Sequence, residues 1–408
     1  RRQVTDTPTP WLTVIGLGED GLDGLSIAAR AALDAADWLV GARRLLDMVP
    51  PTRAQRIVWA GLDGTIDAIA AARGSRVVVV ASGNPMWFGV GATLAKHFDP
   101  REIATFPSPS AFSLACSRMG WSMQEAVAVS AHALPLESIG RQLYPNRRLV
   151  VLSRDGETPA GLAAFLSERG FGASRMTVFE AMGGPRERRI EGLASQWSHP
   201  AGDPLNTVAI EVMPDADARI FGMAPGLPDD AFIHDGLLTK REIRAVTLSA
   251  LSPRPGEILW DVGAGNGSIA IEWLRINPSG RALAVERDHD RAQVLRINAN
   301  RLGAPSVEII EGSAPDILDE IPGDPDVIFI GGGLTSGETL ETCWDRLPSG
   351  GRLVVNVVAL ESAALLFAFQ KRFGGTLTQL AIARNAPVGA MTKFEPMAPV
   401  IQYAGVKA

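Results

Sequence analysis

The residues best suited to chemistry lie at 257–274, EILWDVGAGNGSIAIEWL, and at 281–288, RALAVERD. Asp261 precedes three glycines at alternate positions, Gly263, Gly265 and Gly267, and Glu286 closes the next apolar run. Glycines let a backbone bend sharply and approach a ligand, and a carboxylate at a strand tip can accept hydrogen bonds from both hydroxyls of a ribose. The chemistry so implied is nucleoside binding at a sheet edge. The elements that must position it stand alongside. Ile258, Leu259, Trp260 and Val262 have strand character, and Ile269, Ala270, Ile271, Trp273 and Leu274 resume at helical spacing. Strand, glycine turn, helix and second strand open a mononucleotide-binding βαβ unit.

The spacing narrows the ligand. A dinucleotide fingerprint is Gly-x-Gly-x-x-Gly, but here the third glycine is Gly267 and Ser268 holds the later place. No Lys-Ser or Lys-Thr follows, so this is not a phosphate-cradling P-loop. Asp261-x-Gly263-x-Gly265-x-Gly267 resembles motif I of Rossmann-like S-adenosyl-L-methionine (SAM) methyltransferases. That resemblance implies glycines that admit the methionine part and ribose of SAM. Two competing readings stay open: a plain glycine-rich turn with a solvated Glu286, and an NAD-dependent oxidoreductase, against which the displaced third glycine counts.

The chain has 408 residues, enough for two or three domains with sizeable cores, and its 46% hydrophobic and 21% charged content is ordinary for a soluble globular protein. A net charge of −6 argues against a broad basic footprint, so no nucleic-acid partner is expected. Cys116 and Cys343 are far apart, and the histidines at 97, 132, 199, 234 and 289 show no metal-ligand spacing, so neither a disulfide nor a metal is expected. No apolar run reaches about 18 residues and no apolar signal core precedes Trp11; the expectation is a cytoplasmic protein with no membrane partner.

In the N-terminal half Leu12, Val14 and Ile15 form a first strand ending in Gly16 and Gly18. Ser26 can cap a helix with apolar positions Ile27, Ala31, Ala35 and the Trp38/Leu39 pair. Residues 77–80, all valine, have the composition of a strand buried on both faces, and stop at Ser82, Gly83, Asn84 and Pro85. Ser110 caps a helix through Met119, and a strand at 126–129 ends in Ser130, Ala131 and His132. The Ser130/His132 pair invites a hydrolase reading, but no Gly-x-Ser-x-Gly elbow occurs and residues two apart on a strand share a face by default. From 146 the texture shifts to a second lobe. It contains a strand, loop and helix at 147–171 with Thr158 as N-cap and Pro159 as first helical residue, a strand and charged turn at 174–192, and a last strand at 205–212.

Segments 14–30, 82–91, 107–112 and 130–132 together resemble the tetrapyrrole methylase family, over residues 11 to about 212. The resemblance implies a two-lobed fold with SAM folded in the cleft between the lobes. Gly16 and Gly18, the loop Ser82, Gly83 and Asn84, and Ser110 would be its cofactor-binding residues. Two departures stand out: Glu19-Asp20-Gly21 replaces the usual Pro-Gly-Asp, and Asn84 replaces an aspartate. Asn84 can accept a hydrogen bond but brings no charge.

Residues 214–228 read as a linker between a domain at 1–213 and one at 229–408. Thr239 with Glu242 makes a capping box that opens a helix at 240–251. Strands are expected at 257–262, 281–286, 307–312, 326–331, 351–358, 375–384 and 399–406, and helices near 267–276, 288–302, 336–346 and 361–373. Seven strands with a final antiparallel hairpin pair are the methyltransferase variant of the doubly wound sheet. Ser313 and Ala314 should lie beneath the adenine, and Gly331 in a glycine floor at 326–333.

Thr239-Lys240-x-Glu242-x-Arg244, with 261–267 and 328–333, resembles the decarboxylating precorrin methyltransferase module. The two modules fused in this order imply an α/β chain. It would join an N-terminal two-lobed tetrapyrrole methylase fold to a C-terminal Rossmann-like seven-stranded SAM methyltransferase fold, with one SAM site per domain. The implied role is in cobalamin synthesis: methylation of a precorrin at C5 by the N-terminal module, and methylation at C15 with loss of CO₂ from the C12 acetate by the C-terminal module. A homo-oligomer is implied by the resemblance alone. The substrate carries many carboxylates, so a basic rim is expected, with Lys240, Arg241, Arg244 and Lys393 (in a loop at 387–399) as candidates. His234 is the candidate proton carrier. The ordinary fates of such residues are solvent and structure. A tetrapyrrole-binding module without SAM affinity also stays open. The complete C-terminal motif counts against it, whereas Asn84 leaves a degenerate first site possible.

Overall fold

The computed structural model describes residues 10–132, 134–331, 334 and 336–408. The stretch at 1–9, where no signal core is expected, lies outside the described residues, as do Gly332 and Gly333 of the expected glycine floor. The chain forms two compact units, one made by residues up to 134 with 143–219, the other by 135–142 with 220–408.

The first unit holds two sheets. Strands β1 (Leu12–Leu17), β2 (Trp38–Gly41), β3 (Gln55–Val58), β4 (Val77–Ser82) and β5 (Ile103–Phe106) form a parallel sheet in the order β3-β2-β4-β1-β5. Helices α1 (Ile27–Asp34), α2 (Arg43–Asp47), α3 (Leu62–Ala71) and α4 (Val90–His97) lie in the crossovers that parallel strands require. The inner strands β1 and β4 are buried almost throughout, as their continuous apolar runs predict.

Ser26 caps α1, accepting from Ala29 N–H at 3.2 Å. The helix nevertheless buries Ala29 and Leu33, leaves Ile27 91% exposed, and ends at Asp34. Trp38 and Leu39 belong to β2, a correction to the expected helix. Asp37 accepts from Arg76 N–H and from its guanidinium, which pins the chain beside β4 and starts a strand where the helical spacing would have continued. The same guanidinium holds the Asp37 carboxyl down at about 2.

The second sheet comprises β6 (Ala126–Ser130), β7 (Arg148–Leu152), β8 (Arg175–Glu180), β9 (Arg188–Leu193) and β10 (Asn206–Glu211), ordered β6-β7-β10-β8-β9. Only the β6–β7 pair is parallel. The second lobe therefore begins with β6 rather than at 146, and part of the expected charged turn is the edge strand β9, whose arginines and glutamate suit an exposed edge. Helix α5 (Ala111–Met119) sets Phe112, Ala115 and Cys116 in one core with Val150, Phe179 and Ala209 of this sheet. In α6 (Thr158–Glu168) Thr158 is the first helical residue and Pro159 follows, one place later than expected; Asp155 accepts from Thr158 N–H at 3.0 Å.

The second unit is a doubly wound sheet of seven strands: β11 (Ile258–Val262), β12 (Arg281–Glu286), β13 (Glu308–Glu311), β14 (Val327–Ile330), β15 (Arg352–Val357), β16 (Thr376–Leu380) and, after a separate hairpin of β17 (Ala383–Val388) and β18 (Met391–Pro396), β19 (Val400–Val406). The order is β13-β12-β11-β14-β15-β19-β16, with β19 antiparallel to both neighbours. Helices α7 (Arg241–Leu251), α8 (Ser268–Ile276), α9 (His289–Arg301), α10 (Gly337–Arg346) and α11 (Leu360–Phe373) complete it. Two layers of core, one around Trp273 and Phe329, the other around Trp260 and Trp344, cover the sheet on both faces.

Three expectations here are corrected. The stretch at 375–384 is split between β16 and β17, so β16 and β19 are not joined as a hairpin, and the loop at 387–399 is largely the β17–β18 hairpin. The N-cap of α7 is Lys240, not Thr239, and the capping box does not form. The Arg244 guanidinium takes the Thr239 carbonyl, and Glu242 turns to Arg384. Among the described residues no helix is long and apolar enough to cross a membrane, and no group of three or more His, Cys, Asp or Glu residues is placed to hold a metal.

Candidate functional site

In the second unit the expected residues converge at the carboxyl ends of β11, β12 and β13. Gly263, Gly265 and Gly267 all have left-handed φ, at +74°, +58° and +84°, which side chains disfavour. Gly267 is doubly constrained, since a Cβ there would stand 2.5 Å from Leu295 Cγ. The turn is hung from β12, with Gly263 and Ala264 N–H both donating to the Val285 carbonyl at 3.0 Å. Glu286, 5% exposed, accepts from Gly265 N–H at 2.7 Å and from Asp288 N–H at 2.9 Å. A carboxylate has about four lone-pair positions, so two remain for a nucleoside.

Asp261 is 1% exposed. One oxygen accepts from Ala270 N–H at 3.0 Å and the other, Oδ1, has no partner. Burial, and secondarily the Glu286 charge, pushes this carboxyl up to about 7, against the Ala270 bond. Ser313 and Ala314 follow Gly312, whose N–H donates to the Glu286 carbonyl at 3.0 Å, so the expected adenine loop is tied to the residue expected to take the ribose. Gly331 N–H donates to the Val262 carbonyl at 3.0 Å, and a Cβ on Gly331 would stand 3.0 Å from the Gly263 carbonyl. An unpartnered buried carboxylate oxygen beside a cradle of glycines fits the cationic, hydroxyl-bearing body of SAM.

The catalytic candidates fare unequally. His234 is half-buried, and its Nδ1 accepts from Gly236 N–H at 3.0 Å, which puts the proton of the neutral ring on Nε2. Lys240 is half-buried, with Nζ 3.5 Å from the Gly236 carbonyl. Arg244 is withdrawn from the rim. It is fully buried, pairs with Glu272 at 2.6 Å, donates to the carbonyls of Leu227 and Thr239, and stacks on Phe232 at 4.8 Å. Its helical position placed it on the inner face of α7, so this arginine builds the module rather than meeting substrate. Lys393 stands on the exposed hairpin, 3.4 Å from Glu395. Asn266 and Asn298, which the sequence reading passed over, are buried and tie the segment carrying His234 to the glycine turn.

In the first unit the tips of β1, β4 and β5 are joined by backbone. Gly83 N–H donates to the Leu17 carbonyl at 3.0 Å, Ser108 N–H to the Gly83 carbonyl at 3.2 Å, and Ser108 Oγ to the Gly16 carbonyl at 2.8 Å. A Cβ on Gly16 would fall 1.9 Å from the Gly83 oxygen, and one on Gly18 would fall 2.4 Å from Asp20 Oδ1. Gly83 has φ +57°. Ser82 is exposed, whereas the Asn84 side chain is folded back, its Oδ1 accepting from Met86 N–H at 3.0 Å. Ser110 caps α5, accepting from Ser113 N–H at 3.1 Å, and its Cα lies 3.4 Å from the Cβ position of Gly83. The structure thus gathers Gly16, Gly83 and Ser110 at one strand edge, with Gly18, Ser82 and Asn84 on the same two loops. Both cysteines are buried free thiols, Cys343 pushed up to about 12 by burial, so neither is placed as a nucleophile.

Comparison with known proteins matches each half of the chain to its own family. A family model described as tetrapyrrole (corrin/porphyrin) methylases matches residues 12–197, and one described as a precorrin methyltransferase domain matches 230–407. A precorrin-6Y C(5,15)-methyltransferase [decarboxylating] from a Sinorhizobium species is 44% identical over 401 residues, covering 98% of this chain and 97% of the relative. Its namesake from Mycobacterium tuberculosis (strain CDC 1551 / Oshkosh) is 40% identical over 403 residues, covering 97% and 100%. Among solved structures, a putative precorrin-6Y C5,15-methyltransferase domain from Corynebacterium diphtheriae is 45% identical, covers 42% of this chain and 100% of its own, and has a TM-score of 0.40. With two relatives above 40% or at it across nearly the full length, the chain belongs to the family of decarboxylating precorrin-6Y C(5,15)-methyltransferases.

Proposed function

We propose that this chain is a SAM-dependent C-methyltransferase of cobalamin synthesis that methylates a precorrin at C5 and C15 and removes CO₂ from its C12 acetate. Residues 1–213 would take C5, and residues 229–408 would take C15 and the decarboxylation, each with its own SAM site. The observation that carries the reading is the presence of two glycine-built strand edges on two different sheets of one chain.

When bound, SAM supplies an activated methyl group on a sulfonium. Methyl transfer to an electron-rich carbon then needs alignment more than covalent help, and fixed alignment is worth an effective molarity of roughly 10⁵–10⁸ M. In the second site Glu286 would hold the ribose, the amides at Gly263–Gly267 and Gly331 the methionine part, Ser313 and Ala314 the adenine, and Asp261 would face the positive charge. In the first, Gly16, Gly18, Ser82, Gly83, Asn84 and Ser110 would do the corresponding work. Lys240 offers a cation for a substrate carboxylate. Loss of CO₂ breaks the bond between the acetate carbon and its carboxylate, leaves the electron pair in the conjugated ring, and ends with a proton on that carbon; His234 Nε2–H, on the segment before α7, is the proposed proton donor.

The test is product mass from the intact chain, given precorrin and methyl-labelled SAM, beside the Glu286→Ala variant. The intact chain should add two methyls and lose CO₂, and the variant should add one and keep its carboxylate. A single methyl from the intact chain would defeat the reading. One observation favours a second reading, a first module that binds tetrapyrrole without SAM: the Asn84 side chain is closed into its own turn. Calorimetry separates the two, since that reading requires one S-adenosylhomocysteine per chain instead of two.

A further inference from the structure

We propose that Asn266, backed by Asn298, is a positioning residue that ties the cofactor loop of the second module to the strap at 233–238, and so sets where His234 and Lys240 stand for the tetrapyrrole. The inference rests on the function proposed above for that module. Asn266 occupies a variable place of the Asp-x-Gly-x-Gly-x-Gly turn, yet its side chain is 3% exposed and turned toward the strap. Its Nδ2 donates to the Leu237 carbonyl at 3.1 Å and to Asp235 Oδ1 at 3.3 Å. Asn298, in the last turn of α9, is fully buried. Its Oδ1 accepts from Ile233 N–H at 2.8 Å, and its Nδ2 donates to the Ile233 carbonyl at 2.9 Å and the Asn266 carbonyl at 3.1 Å.

Buried carboxamides cost stability unless their donors and acceptors are met, and here they are met by two segments remote in sequence from each other. Phe232 and Leu238 are buried in the core and anchor the strap by apolar contact. The amides add something apolar contact cannot, a fixed register between strap and glycine turn. Glu286 holds Gly265 N–H, and the next residue holds the strap. Ribose carboxylate, glycine turn and strap are therefore one continuous hydrogen-bonded path. His234 lies on the strap, and Lys240 two residues past its end reaches back to the Gly236 carbonyl. Ile233 and Leu237 leave 42% and 66% of their surface open, so the strap presents apolar as well as cationic groups. That mixture suits a flat macrocycle with charged arms.

The experiment uses the full chain. It measures C15 methylation and CO₂ release against tetrapyrrole concentration, S-adenosylhomocysteine affinity by calorimetry, and C5 methylation as an internal control. Asn266→Ala is expected to raise the tetrapyrrole KM of the C15 reaction by about tenfold, the effect of losing roughly one net hydrogen bond, with cofactor affinity held within about threefold and C5 methylation unchanged. Asp235→Ala, on the exposed side of the strap, should shift the KM in the same direction; because Asp235 also pairs with Arg291, it is read beside Arg291→Ala, whose smaller shift assigns the rest to Asn266, and the pair decides the matter if Asn266→Ala does not fold. Asn266→Asp should be worse than alanine, and adding Asp235→Asn, which exchanges donor and acceptor, should recover part of the loss. An unchanged tetrapyrrole KM in active variants, or an equal loss of cofactor affinity, overturns the inference alone. A wild-type chain that neither methylates C15 nor releases CO₂ overturns the function proposed for the module, and the inference with it.

Discussion

At the edge of the first sheet, the glycine turns are held by uncharged groups: main-chain bonds from Gly83 to Leu17 and from Ser108 to Gly83, and the Ser108 hydroxyl to the Gly16 carbonyl. At the edge of the seven-stranded sheet, the glycine turn is held by carboxylates as well, Glu286 from one side and Asp261 from beneath α8. The first arrangement is fixed by close approach and has little to titrate. The second stores charge in a buried place, and its properties follow proton concentration. The two glycine-built edges thus differ in what can damage them: volume in one, charge in the other.

Volume should break the first most severely. In Gly16→Val the new side chain meets the Gly83 carbonyl and the Ser108 amide, so the knit tips must part. A misplacement of about 1 Å can cost roughly 100-fold in rate, and C5 methylation should fall by at least that while C15 methylation and CO₂ release persist. Equal loss of both activities would erase the contrast. Charge should break the second unit next. Arg244→Met leaves the buried Glu272 carboxylate without its cation, a loss of about 3–5 kcal/mol seen by denaturant unfolding, and adding Glu272→Met should restore only part of it, because the Gly226 and Leu227 amides then lose their acceptor.

A smaller effect sharpens the comparison. Asp261 titrates near 7 when folded and near 3.8 when not, so the folded chain holds a proton that the unfolded chain has released. Stability therefore falls as pH rises through that window, and Asp261→Asn should be more resistant to unfolding than wild type above pH 7. A cationic ligand favours the ionised form. S-adenosylmethionine binding to the second site should accordingly release up to one proton below about pH 7 and none above about pH 8, read by calorimetry in buffers of different ionisation heat. The first site should show no such release. The least effect is expected from Asn84→Asp: either side chain can accept from Met86 N–H, so first-site affinity should move by only about 0.5 kcal/mol.

How much of this was legible in the sequence depended on how local the determinant was. The turn at 261–267 was readable because the glycines carry the φ > 0 positions and their neighbours the strand and helix patterns, all within one short window. Arg244 was misread because a charged side chain in a helix opening looks solvated until its partners, Glu272 and the carbonyls of Leu227 and Thr239, fold over it from elsewhere. The β17–β18 hairpin was hidden for the opposite reason, since β18 is exposed on both faces and the half-buried positions of β17 are Arg384 and Ala386, so neither strand carries an apolar alternation. Asn266 and Asn298 left no signal at all; lone carboxamides gain meaning only from what lies across the fold. The helix expected through Trp38 failed because Ile27, Ala31 and Ala35 share spacing but not the buried face, which the neighbouring Ala29 and Leu33 occupy.

The place of β19 bears on how the chain comes to be built. It is the last strand of its sheet in chain order, yet it sits between β15 and β16 and supplies both with their partner. During synthesis β16 has nothing to pair with until β19 has emerged, and β15 presents an open edge for the same interval. The cofactor edge, made from β11, β12 and β13, precedes that closure by many residues. A ribosome-bound chain would therefore carry a finished first unit and a nucleoside edge already laid down beside a sheet still waiting for its seam. Exposed strand edges of this kind are where aggregation begins, so the yield of active protein should be governed by the speed of these last steps more than by the cofactor site itself.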